Sequence, residues 1–600
     1  VRVSWRRVAG TLSLCVGLTV GLVSVSAEEN VGKKTLPEAF DQSVIVPYDY
    51  QGKAFVNGVK TDIWGEYEIV QRQGRVMVPI RLMGTLAGHI TDSDGMWQAD
   101  WSAERPDEVV LRNGNLGLSI KFTVGERTMV VGQEKRTIDI APQRIGDRIV
   151  LPLRSAAEAL NTRIEWLDGL IVMSEEPIDL VHPQTSGLVS RVKKQLVDAR
   201  PRLDWSSEGQ MLNPLTMVGS TVYYTGIKDA NSGSWHLYKR GVGQQTGELI
   251  TLPGNPQLGT AKLVGQELFF LTQTEQGTSL YAYHLGNESI RKISDVANWD
   301  PTWGWLGEIR YIDGELYVIL HYGDNTMGSD TLYLAKDGRL EEVTWAKSFI
   351  NYAFDDAFLY ATDFRFMYGM ENNLFRVDKA TGERSDVGVP EYAYGVIREY
   401  SPTAESYRHH EALYIRDGIV YALGYLGEDR QDVAAVYRID PESRTHTKLT
   451  GHAEDFWLID EHIYYVDGVD GFLKAVDKDG GESWIVLNMQ MKNVQFVDGS
   501  FYFMKPSHPD ASTGVLYQYF VGQFVAQNLL KQRSELPVSS YEVGKSGLYY
   551  IQQGYDPGLF KVGADGRSTR LVSDNVHSTA LSDDGIVYTL AYEKGIFSGK

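Results

Sequence analysis

Two aromatic-rich stretches hold the side chains best suited to recognition chemistry. Between Asn298 and Trp305, three tryptophans (Trp299, Trp303 and Trp305) fall within seven residues. Between Glu391 and Glu411 stand Tyr392, Tyr394, Arg398, Tyr400, Tyr407, Arg408, His409 and His410. Aromatic faces stack on the C–H faces of sugar rings, while arginines and acids bond the hydroxyls. The candidate ligand-binding residues are therefore Trp299, Trp303, Tyr392, Tyr394, Arg398, Tyr400, Tyr407 and Arg408. Trp305 and one of its neighbours have a plainer reading as core.

Catalytic and metal motifs are absent. No Gly-x-Ser-x-Gly elbow, His-Glu-x-x-His pair or phosphate loop occurs. His409 and His410 are adjacent, and on a strand adjacent side chains point opposite ways, so they do not share a metal. Asp477-Lys478-Asp479-Gly480 begins like a calcium loop but lacks an acid at the closing position, and reads as a hairpin turn. With 78 acidic residues, spacing alone singles out no glycosidase pair. No catalytic residue, metal or cofactor is assigned.

Residues 206–600 must position these stretches, and they repeat one phrase. Paired aromatics or their apolar equivalents recur at Tyr223-Tyr224, Phe269-Phe270, Tyr317-Val318, Leu359-Tyr360, Val420-Tyr421, Tyr464-Tyr465, Tyr502-Phe503, Tyr549-Tyr550 and Val587-Tyr588. The step is mostly about 40–50 residues, the length of a four-stranded propeller blade. Nine Asp-Gly pairs, from Asp313-Gly314 to Asp584-Gly585, suit type I′ hairpin turns. Eight full repeats and a partial ninth can be counted. The expectation is a β-propeller of about eight blades, seven and nine being the neighbouring counts, with the repeat at 349–388 discounted. A strand from before Met217 is expected to complete the last blade.

Ahead of the repeats lies a duplication. Arg75-Val76-Met77-Val78-Pro79-Ile80-Arg81 is echoed by Arg148-Ile149-Val150-Leu151-Pro152-Leu153-Arg154. Each copy is a β-branched strand ending at a proline, then an amphipathic helix closed by Gly88 or Asn161, then a Trp-containing strand. Pro79, Arg81, Pro152 and Arg154 are read as structural, each arginine fixing the angle between strand and helix. These doubled motifs, with Val56-Asn57-Gly58 opening the segment, resemble the copper amine oxidase N-terminal-like domain. The resemblance implies a small α+β stalk in an exported protein of a Gram-positive bacterium. It does not imply oxidase chemistry: Asn351-Tyr352 is followed by Ala353 rather than an acid, and no His-x-His pair occurs. The repeats are similar to the uncharacterised extracellular propeller-like repeats found behind such domains.

The fold class is thus mainly β, a small α+β domain followed by a propeller. The expected divisions are a signal peptide at 1–27, a polar leader at 28–49, the α+β domain at 50–176, a linker at 177–205 and the propeller at 206–600. Arg2, Arg6 and Arg7 precede an uncharged apolar run that holds Cys15, the only cysteine, and ends in Ser26-Ala27. Removing 1–27 takes the net charge from −20 to −23, which repels nucleic acid and anionic lipid. A mature chain without cysteine suits an exported protein held by its core rather than by disulfides. The sequence points to a non-catalytic protein of the cell envelope or exterior, without a membrane span once cleaved. Its propeller would bind wall polysaccharide, peptide or another exported protein; a propeller glycosidase or lyase is the alternative.

Overall fold

The computed structural model describes residues 33–600 except 50–51, 63–68, 91–96, 115–116, 147, 161, 198–201, 204–210, 228–233, 245, 298, 301, 325–326, 366–368, 401–404, 508–510, 531–537 and 564. The expected signal segment 1–27 and the proposed cap Asn161 lie outside the described residues.

In the N-terminal domain the two sequence copies pair with each other. Arg75–Pro79 runs antiparallel to Arg148–Pro152, with Val78 opposite Leu151. Helices Ile80–Ile90 and Leu153–Ala159 begin at the residue after each proline, where a missing N–H costs a strand least. Leu82, Met83 and Leu86 from one helix meet Leu153, Ala156 and Ala157 from the other in a core with Trp97, Leu111 and Phe122. Arg81 and Arg154 are exposed, and the buried faces of the helices set the angle instead. The first helix also continues past Gly88 to Ile90, so this glycine is not its cap.

The expected leader and linker both belong to this domain. Thr35 caps a short helix, Leu36–Ala39, in a reciprocal box with Glu38. The strand Ser43–Pro47 then lies between Lys53–Val56 and Leu170–Ser174. It is buried along its whole length, so Val44-Ile45-Val46 shows no alternation by which to recognise a strand. The segment 177–205 holds a 14-residue helix, Pro183–Leu196. Leu188, Val189, Val192 and Leu196 of this helix cover the far face of the same sheet, against Ile45, Phe55 and Val172. Gly187 and the β-branched residues in its sequence hide the helical pattern.

From residue 212 the chain forms nine successive antiparallel sheets: 212–250, 255–296, 304–346, 349–386, 392–448, 453–487, 492–528, 538–572 and 576–599, here blades 1 to 9. A single bridge, Gly514 to Val538, joins blades 7 and 8 into one continuous sheet. The sheets are a ring because each packs face to face on the next. Tyr223 of blade 1 meets Phe270 of blade 2, whereas Phe269 meets Leu306 of blade 3. The same alternation continues around the ring and ends with Met217, Val222 and Tyr224 of blade 1 against Val587 and Ile596 of blade 9. The aromatic doublets follow from this geometry: on a strand buried on both sides, one ring fills each neighbouring interface.

The count is nine rather than eight. Residues 349–386 form a complete sheet whose first hairpin lacks Asp-Gly; Asp355 instead accepts the N–H groups of Ala357 and Phe358 at 2.9 and 2.7 Å. Only four of the nine Asp-Gly pairs place both residues at positive φ: those at 313, 337, 417 and 498. Elsewhere the aspartate does other work, as where Asp467 accepts from the N–H of Val469 at 2.9 Å. Blade 9 has three strands; among the described residues no strand from before Met217 pairs with it, but that segment reaches the blade where the N–H of Leu203 donates to the carbonyl of Ala591 at 2.9 Å. Face packing closes the ring, reinforced by Asp584 accepting the N–H of Gly219 at 2.7 Å and by Arg240 bonding the carbonyl of Ile596.

Alternating strand direction puts the second-to-third strand loops and the inter-blade connections on one face of the disc. The N-terminal domain docks on that face, over blades 7 to 9. Phe40 meets Tyr555 edge-on at 4.9 Å, Arg191 lies over the same ring at 5.1 Å, and Lys60 lies over Tyr592 at 4.4 Å. Among the described residues the domain's aromatic and cation contacts with the propeller all fall on blades 8 and 9.

Candidate functional site

Blade 5 departs from the plan in a way that shapes the rest of the disc's face. Its inner strand is split into Tyr392–Tyr394 and Leu413–Arg416, both paired with Ile419–Leu426. Between them the hairpin of Val396–Tyr400 and Glu405–His409 is inserted. Inner strands line the axis, so the hairpin rises at the channel mouth. Its base is tied to both neighbours. Asn351 of blade 4 donates to the carbonyl of Glu411, and His410 meets Asp455 of blade 6 at 2.9 Å. His409 turns the other way, onto Phe364 at 4.2 Å, as adjacent strand residues must.

A cavity lies on each side of this hairpin. One, of about 690 Å³, is enclosed by the inner strands of blades 2, 3 and 4 and by Glu411. Trp305 lines it, stacked on His321 at 3.9 Å with 17° between the rings. Glu308 and Arg310 pair at 2.5 Å, and Arg310 also donates to Asn351 at 2.8 Å. His321 is bound at both ring nitrogens: Nδ1 lies 2.7 Å from Asp330, and Nε2 lies 3.2 Å from the carbonyl of Asp324. A carbonyl only accepts, so Nε2 carries a proton, and neither nitrogen is left for a ligand. Burial pushes the Asp330 carboxyl above its ordinary range, opposed by His321 and by the N–H of Phe349 at 2.9 Å. The pair braces the wall, with Asp330 tying His321 to the backbone of Phe349.

The other cavity, of about 620 Å³, lies between blades 6 and 7. Arg408 reaches it from the hairpin, paired with Glu454 at 2.7 Å and Glu399 at 3.3 Å. Its remaining wall includes Asp455, Asp467, Asp470, Gln490 and Lys492.

The structure scatters the sequence candidates. Trp303, 56% exposed, stands at the entrance of the larger cavity's inner strand. Trp299 is half-buried, lying across Gly304 and 5.6 Å from Tyr322. Tyr392 and Tyr394 pack between blades 4 and 5. Tyr394 bonds His446 at 2.7 Å and Tyr392 lies edge-on to the same ring at 4.2 Å. Burial lowers the pKa of His446 and raises that of Tyr394. Arg398 donates to the carbonyl of Gly427 at 2.9 Å over the ring of Tyr425, anchoring a loop. Tyr407 is half-buried near Phe364, and Tyr400 has a described backbone opposite Glu405 while its side chain lies outside the described residues.

Trp305, the residue read as core, lines the cavity, as do Lys262, Glu308, Arg310, His321 and Glu411. Those residues come from three blades, so no local spacing marks them. The Asp477–Asp479 segment is a hairpin turn, its Asp477 accepting the N–H of Asp479 at 2.9 Å. Among the described residues no three His, Cys, Asp or Glu side chains are placed to hold a metal.

Nine radially packed sheets, a recessed mouth and a docked α+β domain define a propeller-bearing protein of mainly β class. Residues 55–172 match the family model described as copper amine oxidase N-terminal domain. No curated protein sequence matches the chain. Similar solved structures include an oligogalacturonate lyase in complex with manganese, at 13% identity over 48% of this chain and 83% of that one, TM-score 0.28. A puromycin-hydrolyzing peptidase from Mycobacterium tuberculosis aligns at 10% identity over 59% of this chain and 60% of its own, TM-score 0.33. BamB from Moraxella catarrhalis aligns at 13% identity over 59% and 94%, TM-score 0.28.

Proposed function

We propose that the protein is an exported, non-catalytic binding protein of the cell envelope. Residues 1–27 direct export, and the N-terminal domain carries a propeller whose remaining face takes a polymer outside the cell: wall polysaccharide, peptide or another exported protein. No described helix is long and apolar enough to cross a membrane. The supporting observation is the larger cavity, where an aromatic ring lines a recess whose one histidine is bound at both nitrogens. Such a site can hold a ligand, but its histidine has no free nitrogen with which to move a proton.

The second reading, a polysaccharide-degrading enzyme, draws on Glu308 and Glu411 lining the same cavity. A screen of residues 28–600 against wall polymers, glycans and peptides separates the two. Retention on polymer without released product, lost on Trp305→Ala, is the expected result. Release of shortened or unsaturated product would make the protein an enzyme.

A further inference from the structure

We propose that the larger cavity takes an uncharged polysaccharide, one sugar ring on Trp305 inside the mouth and the next on Trp303 outside it. This rests on the binding reading above and specifies its ligand. The two tryptophans are separated by one residue, Gly304, so their Cα atoms lie within about 7 Å of each other. One is open at the surface and the other lines the recess.

The entrance is shaped by two glycines and the rings they make room for. A Cβ at Gly304 would collide with the ring of Trp299, so the glycine lets Trp299 lie beneath the entrance as a wedge between blades 2 and 3. A Cβ at Gly328 would collide with the imidazole of His321, on which Trp305 stacks. A side chain at position 328 would displace the support of Trp305, and one at position 304 would displace Trp299 directly beside the entrance. The ring of Trp305 is held from behind by His321, which is how a stacking surface keeps its orientation without paying entropy on binding.

The polar groups choose among glycans. Arg310 is committed to Glu308 and Asn351, and Asp330 to His321. That leaves Lys262 and Glu411, whose side chains make no hydrogen bond or ion pair with the described residues. One free ammonium and one free carboxylate complement hydroxyls, which accept from the first and donate to the second. They offer no net charge to a polyanion, and a chain of net charge −20 repels one.

The test is calorimetric titration of residues 28–600 with neutral β-linked gluco-, xylo- and N-acetylglucosamine oligomers of two to eight units, and with polygalacturonate. Affinity is expected to rise with length for one neutral series. Trp303→Ala should weaken every oligomer, since two adjacent rings already span both tryptophans, by about tenfold; Trp305→Ala should weaken all lengths as well. Trp305→Phe, which keeps a ring on His321, should restore much of the loss and guards against a folding artefact. Preferential binding of polygalacturonate, or wild-type affinity of Trp303→Ala at every length, would overturn the proposal while leaving a binding protein. Binding of none of these saccharides would remove the polysaccharide ligand itself.

Discussion

Gly304 and Gly187 make opposite predictions from the same missing methyl group. At Gly304 a Cβ has no room beside Trp299, so Gly304→Ala is expected to destabilise the protein by about 1–3 kcal/mol through overpacking. Gly187 sits inside the helix Pro183–Leu196 with nothing within 4 Å of its missing Cβ. Gly187→Ala should therefore stabilise, by about 0.5–1 kcal/mol, because alanine loses less backbone freedom on entering a helix. Denaturant unfolding of both variants reads the sign directly. The buried tyrosines of the interfaces add a pH prediction. Burial raises the phenols of Tyr317, Tyr360 and Tyr414 to about 12, with acidic neighbours adding to it. Between pH 10 and 12 the native state keeps protons that the unfolded chain gives up, so stability is complete below pH 10 and falls as pH rises through that window. Phenolate absorbance at 295 nm should appear for these residues only as near-ultraviolet dichroism is lost. Titration of the full tyrosine complement at pH 10 in a native protein would contradict the burial.

Among elements, the weakest joint of the ring should be where its ends meet. The interface of blades 2 and 3 buries ten apolar residues, with six more packed against them. That of blades 9 and 1 buries five, with two more packed against them. No shared strand supplements it among the described residues. Stability in such folds is distributed unevenly, and thinly packed units open first. Hydrogen exchange is expected to be fastest among the blade cores in 212–227 and 576–599. Met217→Ala should accelerate it there and cost about 2–5 kcal/mol. Equal protection at all nine interfaces would mean that closure does not depend on this packing. The elements also mark what could be read from sequence. Paired rings such as Tyr464-Tyr465 announce a strand buried on both sides because each ring faces a different neighbour. The fourth blade is obscured because Asp355 turns the chain without glycine. The cavity is hidden more deeply: Lys262, Trp305, Ser348 and Glu411 meet only once four blades are radially arranged. No periodicity along the chain contains that information.

At the scale of the whole molecule, the N-terminal domain behaves as a fixed cap. Tyr555, on a loop of blade 8, is buried in the domain's second core, edge-on to Phe40 and beneath Arg191. Gly554 beside it has the carbonyl of Gly58 where a Cβ would stand 3.1 Å away, so the two backbones approach as closely as a side chain would forbid. Lys60 and Lys53 hold Tyr592 of blade 9 from the same domain, and Asp41 bonds Ser507 of blade 7. Three consecutive blades are thereby engaged; the larger cavity lies across the ring from them, and the smaller one, between blades 6 and 7, lies at their border. Tyr555→Ala removes the aromatic anchor of this joint without touching either cavity. It should cost about 3–5 kcal/mol of docking and divide one thermal transition into two, since domains with a weakened interface unfold independently. Binding at the mouth should persist in this variant below the first transition. A single unshifted transition in Tyr555→Ala would show that the cap is held by the connector rather than by its contacts, and the domain would then be a tethered stalk, free to swing away from the face it covers.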